Sequence, residues 1–315
     1  MRLGSRAAMA PPQRTKSTPS ERRTSNGISR RSLLAGAAAF GAFGSLAAAC
    51  SRVPPEGDVE GGDLLERLRS RGSVKVGIAS EPPFGYINED GQPDGEAPAI
   101  AKVIFDRLGI DKVTPVPVEF GALIPGLKAQ QFDVVSAGMY INPTRCAQVL
   151  FSDPDYLMLD SFIVPTGNPH NIQRYEDIAD QGLVLATGTA YAEIDYALAA
   201  GIPQSRLLIL PDQVAGLDAV VQGRAAAFAG TNVTVTGVVE NSSRAEATEP
   251  FQPYVNGEPA YGAGGFAFRR SEKNFRDAFN VELHKLKDSG ELLEIVRPFG
   301  FTEAEMTDLT AEELC

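Results

Sequence analysis

An alternation of strand-like and helix-like segments constrains this chain most: it runs through five elements, stops, and begins again. Val74-Lys75-Val76-Gly77-Ile78-Ala79 alternates apolar with polar or small residues, the period of a strand. From Ala97 to Leu108, the residues Ile100, Val103, Ile104 and Leu108 share one helical face, and Gly109 supplies the stop. A strand over Val116–Phe120, a helix over Leu123–Gln131 and a strand over Phe132–Ser136 follow. Asn142-Pro143 then fits an N-cap with proline at the first helical position. Beyond Pro165 the pattern restarts. Strands over Leu183–Ala186, Leu207–Leu210 and Ala225–Ala229 alternate with helices over Tyr191–Ala200, Gln213–Gln222 and Thr231–Val239. Gly262–Phe268 returns as a strand, and Ser271 is placed to cap a long helix carrying Phe275, Phe279, Leu283 and Leu286 in register. Such units cover both faces of a sheet with helices, so the expected fold class is α/β, with two lobes, each an open, mostly parallel sheet. No fixed-period repeat is visible, which excludes a solenoid.

Ahead of this body stands a segment of opposite character. Residues 1–50 carry seven arginines and Lys16 against the single Glu21, so the net charge of −11 belongs wholly to the rest of the chain. An acidic body lacks the basic face that neutralises phosphates, which argues against nucleic acid as a partner. Ser29-Arg30-Arg31-Ser32-Leu33-Leu34 leads into the uncharged run Leu33–Ala49, too weakly apolar for a spanning helix. A cationic start, a short apolar stretch and small residues before a cut are the pattern of a removed signal. The arginine pair resembles the twin-arginine export motif, and Leu46-Ala47-Ala48-Ala49-Cys50 resembles a lipobox. Residues 1–49 are therefore expected to be a signal peptide, Cys50 a lipidated anchor on the outer face of the cytoplasmic membrane, and 50–62 a Ser/Pro/Gly-rich tether. With Cys50 spent on lipid, Cys146 and Cys315 remain. In an oxidising compartment a matched pair tends to form a disulfide, free buried thiols being the alternative.

Catalytic chemistry is thinly represented. The only histidines, His170 and His284, have no cysteine or carboxylate at metal-ligand spacing, and no strand–Gly-x-Ser-x-Gly–helix turn is present. Gly262-Ala263-Gly264-Gly265 precedes a strand rather than opening a helix, so it reads as a strand making a close crossing, not a phosphate loop. Asp153 and Asp155 flank Pro154 and read as turn chemistry. No cofactor, metal or catalytic residue is expected. What stands out is a set of recognition groups: Glu81-Pro82-Pro83-Phe84 after the first strand, and Gly138-Met139-Tyr140 with Arg145 after the third. In an open α/β sheet, ligands bind beyond the carboxyl ends of the strands, where these loops must lie. Singly, Phe84 reads as packing and Arg145 or Glu81 as a surface charge; together they favour a site.

These residues, with Phe132-Asp133-Val134, Phe151-Ser152-x-Pro154, Thr187-Gly188-Thr189 and Gly223-Arg224, resemble the polar-amino-acid class of periplasmic solute-binding proteins serving ABC importers. The resemblance implies a periplasmic-binding-protein fold whose lobes are joined by two crossover strands, near Phe162–Gly167 and Ala260–Phe268. Lobe one would then be 63–164 with 262–315, and lobe two 165–261. It further implies that Arg145 clamps a ligand carboxylate and that Glu81, Phe84, Phe120, Tyr140, Thr189, Asp212 and Thr231 contact ligand. Where amino-acid binders carry Ser or Thr, and then Asp, to hold an α-ammonium, this chain has Tyr140 and Thr231. A ligand with a carboxylate but no free primary α-ammonium is implied. Aromatic faces at Phe84, Phe120 and Tyr140 suit a delocalised or quaternary cation, with Glu81 as countercharge and Tyr140→Phe expected to be mild because the ring face does the binding. The run from Gly138 to Asp155 resembles the ectoine- and hydroxyectoine-binding lipoproteins of that import system. Ectoine or hydroxyectoine and the importer's permease subunits are thus the expected partners. Another small zwitterion, a polar amino acid or a betaine, is the alternative, and an exported enzyme resembling cyclohexadienyl dehydratase a further one.

Overall fold

The computed structural model describes residues 63–315; the expected signal segment, Cys50 and the tether lie outside the described residues. Two sheets organise the described body. The first runs Lys112–Pro117, Ser73–Ile78, Val134–Tyr140, Gly262–Phe268 and Leu150–Phe151 in that order, with Tyr156–Met158 also paired to Gly262–Phe268. The second runs Leu207–Leu210, Leu185–Gly188, Ala227–Thr231, Asp160–Pro165 and Ala245–Ala247.

Each sheet is mixed rather than mostly parallel, which corrects the sequence expectation. Three neighbouring strands in each are parallel, as their helical crossovers demand. The antiparallel partners are Gly262–Phe268 in the first sheet and Asp160–Pro165 in the second. Both arrive from the other lobe, so no crossover helix sets their direction. The outward passage also falls earlier than expected. Tyr156–Met158 belongs to the first sheet and Asp160–Pro165 already to the second, so the chain changes lobe at Leu159 rather than near Phe162–Gly167. Glycine makes the return strand's crossing possible: a Cβ on Gly264 would sit 2.1 Å from the Tyr156 ring.

The first sheet's core uses the expected helical stripes. Ile100, Ile104 and Phe105 of Glu96–Arg107 meet Phe275, Phe279, Leu283 and Leu286 of Lys273–Ser289, with the Phe266 and Phe279 ring centroids 4.6 Å apart. The long helix begins at Lys273 and its N-cap is Glu272, so Ser271 does not cap it. Another strand is displaced: Lys112–Pro117 replaces the expected Val116–Phe120. As the terminal strand of its sheet it tolerates Pro115 and Pro117, since one row of its N–H groups needs no ladder partner. Phe120 is thereby released into a short turn, Phe120–Ala122, beyond the strand's carboxyl end.

Cys146 and Cys315 are disulfide-bonded, their Cα atoms 5.6 Å apart, which ties the C-terminal tail to the short helix Pro143–Cys146. Asp153 reinforces this corner by accepting from the Ala311 N–H at 2.8 Å and contacting His284 Nε2 at 2.8 Å. Asp155 is not turn chemistry. It is buried beside Glu96 inside the first lobe, and burial pushes its carboxyl up to about 6.

Candidate ligand-binding site

The strand ends converge on a cleft of about 370 Å³, lined by Glu81, Phe84, Phe120, Gly138, Tyr140, Arg145, Tyr191, Ala192, Glu193, Thr231 and Thr234. Six of the eight residues expected from sequence are brought together here. The loop after Ser73–Ile78 folds back on itself, the Phe84 and Gly85 N–H groups both donating to Glu81 C=O. It is stapled to the next helix by Glu96 N–H to Pro83 C=O at 2.9 Å. That geometry carries the Glu81 carboxyl and the Phe84 ring to the same side. Gly138 makes room for the ring: its φ is +58° and a Cβ would lie 2.5 Å from Phe84 Cδ1. The Phe84 ring is 3% exposed and packs against Tyr156 and Phe301, at centroid distances of 5.0 and 5.8 Å. It therefore serves the lobe core as well as the cleft wall.

Arg145 is positioned by its own short helix. Asn142 caps Pro143–Cys146, its Oδ1 accepting from Arg145 N–H at 2.9 Å, and the side chain turns inward until the residue is only 7% exposed. Its guanidinium donates to Tyr140 C=O at 2.6 Å and to Ala190 C=O at 2.9 Å, and lies 5.3 Å from the Phe120 ring centroid. A guanidinium has five N–H donors, so these two bonds leave others for a ligand carboxylate.

Three side-chain contacts join the lobes around the cleft. Arg145 reaches Ala190 C=O, the Tyr191 hydroxyl donates to Glu81 Oε1, and the Tyr140 hydroxyl pairs with Thr231 Oγ1 at 2.7 Å. The last contact gives the Tyr140 hydroxyl a partner in the second lobe, in addition to what the ring face offers a ligand. Tyr140 and Thr231, the two positions that the resemblance singled out, are hydrogen-bonded to one another.

Thr189 and Asp212 are not among the lining residues. Thr189 is exposed and its Oγ1 donates to Leu210 C=O at 3.1 Å; Asp212 caps Gln213–Val221 by accepting from Ala215 N–H at 2.8 Å. Capping is what an acid just before a helix ordinarily does. Tyr191, Glu193 and Thr234 were missed. The sequence pattern starts a helix at Tyr191, whereas it begins at Glu193, so Tyr191 and Ala192 belong to the turn beyond Leu185–Gly188. An acid at the start of the helix that follows a strand of the second lobe was the available signal.

The electrostatics are unusual for so small a space. Burial pushes Glu81 up to about 7 despite the hydrogen bond from Tyr191, and Glu193 adds to the shift. Glu193 is likewise pushed up to about 7 by burial, against the pull of its own backbone N–H and of Arg145. Two carboxyls poised near neutrality thus face one guanidinium and four aromatic rings, those of Phe84, Phe120, Tyr140 and Tyr191. The arrangement can hold a compact ligand that presents a carboxylate at one end and a diffuse positive charge at the other.

The chain has relatives of known structure and sequence. A structure of EhuB in complex with hydroxyectoine superposes with a TM-score of 0.73 and 37% identity, covering 80% of this chain and 97% of that one. A probable amino-acid ABC transporter periplasmic-binding protein, y4tE of Sinorhizobium fredii, is 32% identical over 87% of this chain and 93% of its own length. Cyclohexadienyl dehydratase of Pseudomonas aeruginosa is 25% identical over 62% of this chain and 73% of its own. Residues 74–302 match the model of one family across both lobes and the cleft between them, and the chain accordingly belongs to the bacterial extracellular solute-binding proteins, family 3.

Proposed function

We propose that the protein captures ectoine or hydroxyectoine outside the cytoplasmic membrane and delivers it to the permease of an ABC importer, held to the membrane by a lipid on Cys50. The observation that carries the ligand reading is the Tyr140–Thr231 hydrogen bond. It fills the place where amino-acid binders keep the acceptors of an α-ammonium, while Arg145 is retained. A ligand with a carboxylate and a delocalised cyclic amidinium suits what is left: Arg145 for the carboxylate, Glu81 for the amidinium N–H groups, and the faces of Phe84, Phe120 and Tyr140 around the ring. The EhuB–hydroxyectoine complex supports the same ligand class.

Calorimetric titration with ectoine, hydroxyectoine, glutamine, arginine and glycine betaine tests this. Binding of ectoine or hydroxyectoine at least tenfold tighter than the others is expected; preference for an amino acid would refute it. The likeness to cyclohexadienyl dehydratase, with a Glu81 carboxyl near 7 as a general base would need, favours an enzyme as second reading. Mass spectrometry of ligand recovered after prolonged incubation separates the two, because a binding protein returns it unchanged. Intact-mass analysis of membrane-derived protein tests the anchor, for which a diacylglyceryl Cys50 is expected.

A further inference from the structure

Glu193 opens the helix Glu193–Ala199 in the second lobe, lines the cleft and is 3% exposed. Among the described residues its carboxyl has no hydrogen-bond partner beyond its own backbone N–H. The charged groups around it are Arg145 and Glu81 from the first lobe and Asp160 at the crossing. The phenols of Tyr140, Tyr175, Tyr191 and Tyr196 complete its surroundings. Asp160 is itself occupied, accepting from the Tyr175 hydroxyl at 2.6 Å. Among the described residues Arg145 is therefore the single cation near Glu193, and with the residue's own backbone N–H it draws the carboxyl toward the ionised form.

A bound zwitterion changes that balance in a definite direction. Its carboxylate on Arg145 neutralises the guanidinium and places a further negative charge beside Glu193, which disfavours a second carboxylate there. Its cation beside Glu81 does the opposite and favours ionisation. The two cleft carboxyls, alike when the cleft is empty, are driven apart by the ligand.

We propose that Glu193 is a second ligand-contacting carboxyl of the cleft and works as the protonated acid. It donates a hydrogen bond to the ligand's carboxylate, while Glu81 stays ionised against the ligand's cation, so that capture is coupled to a proton held at Glu193. The inference rests on the ligand being a zwitterion of the ectoine type. The binding-competent form has Glu81 ionised and Glu193 protonated. With both groups near 7 in the empty cleft, it is most populated near neutrality and is lost on either side. Above neutrality the proton comes from solvent and moves onto a Glu193 carboxylate oxygen as the ligand binds.

Titration of ectoine into the mature chain at pH 6, 7 and 8.5, and at pH 8 in phosphate and in Tris, reads this out. The wild type is expected to bind most tightly near pH 7, to weaken roughly tenfold from pH 7 to pH 8.5, and to take up close to one proton at pH 8. Glu193→Gln cannot ionise, so its Kd ratio between pH 8.5 and pH 7 should fall within about twofold, whatever its absolute affinity. Circular dichroism establishes that the variant is folded, and the wild-type proton count stands without it. Proton release at pH 8, or an unchanged alkaline decline in Glu193→Gln, overturns the inference while leaving ectoine as the ligand. No binding of ectoine at any pH removes the ligand reading, and the proton coupling with it.

Discussion

The Tyr140–Thr231 contact allows a prediction with a worked magnitude. The two residues sit at the ends of strands in different sheets, Val134–Tyr140 and Ala227–Thr231, so their 2.7 Å hydrogen bond exists only while the lobes are together. Tyr140 is 5% exposed, and burial lifts its phenol well above the ordinary range, so the hydroxyl stays neutral throughout the working pH range. Tyr140→Phe keeps the ring and removes only the bond. A neutral hydrogen bond exchanged for water contributes about 0.5–1.5 kcal/mol net. Because the open form never makes this bond, its loss falls entirely on closure, and ligand affinity should weaken about 2- to 13-fold. Thr231→Val should cost a similar amount by deleting the other partner. The decisive assay is a double-mutant cycle by calorimetric titration with ectoine: the double variant should be no weaker than the worse single variant, since both remove one bond. Additive losses, or a Tyr140→Phe affinity equal to wild type, would show that the contact does not hold the closed form.

Further expectations follow from other contacts. Arg145→Ala removes the proposed carboxylate clamp and the bond to Ala190 C=O, and should cost about 2–5 kcal/mol of affinity by titration, with Arg145→Lys recovering only part of it because an ammonium lacks the planar fork. Phe84→Leu should lower both the melting temperature and ectoine affinity, since the ring packs on Tyr156 and Phe301 as well as facing the cleft; a loss of affinity with unchanged melting would contradict that double role. Glu96 and Asp155 are both raised by burial, so the folded state holds protons that the unfolded chain releases at ordinary carboxylate pH; the stability this gives is lost as pH rises, the Asp155 share through about 6 and the Glu96 share as its own raised carboxyl ionises. Glu96→Gln should accordingly flatten the decline in melting temperature between pH 5 and pH 8, and an unchanged slope would refute the pairing. Reducing Cys146–Cys315 should free the tail, giving faster deuterium uptake in Ala311–Leu314 while ligand binding persists.

Much of the architecture was legible in the chain because it rests on local rules. Hydrophobic period marked the stripe of Phe275, Phe279, Leu283 and Leu286, and Asn142-Pro143 announced the short helix that aims Arg145. The glycines of Gly262–Phe268 marked the close crossing over Tyr156. Glu81, Phe84, Tyr140 and Arg145 could be named as a group because strand ends in an open sheet must share one edge, whereas Phe120 and Thr231 were added only by the resemblance to solute-binding proteins. Boundaries were less legible. Prolines in Lys112–Pro117 look hostile to a strand until its terminal place in the sheet is known, and local pattern does not say at which residue a continuous strand leaves one lobe for the other. Roles that depend on partners distant in sequence were beyond local reading. Asp212 and Glu193 are both acids at helix starts; Asp212 stands at the N-cap and is used up by its helix, while Glu193 stands one place further in and lines the cleft. The same holds for Tyr140 and Thr231. The resemblance singles out each separately, but only a fold that brings residues 91 positions apart to 2.7 Å makes the two a single hydrogen bond.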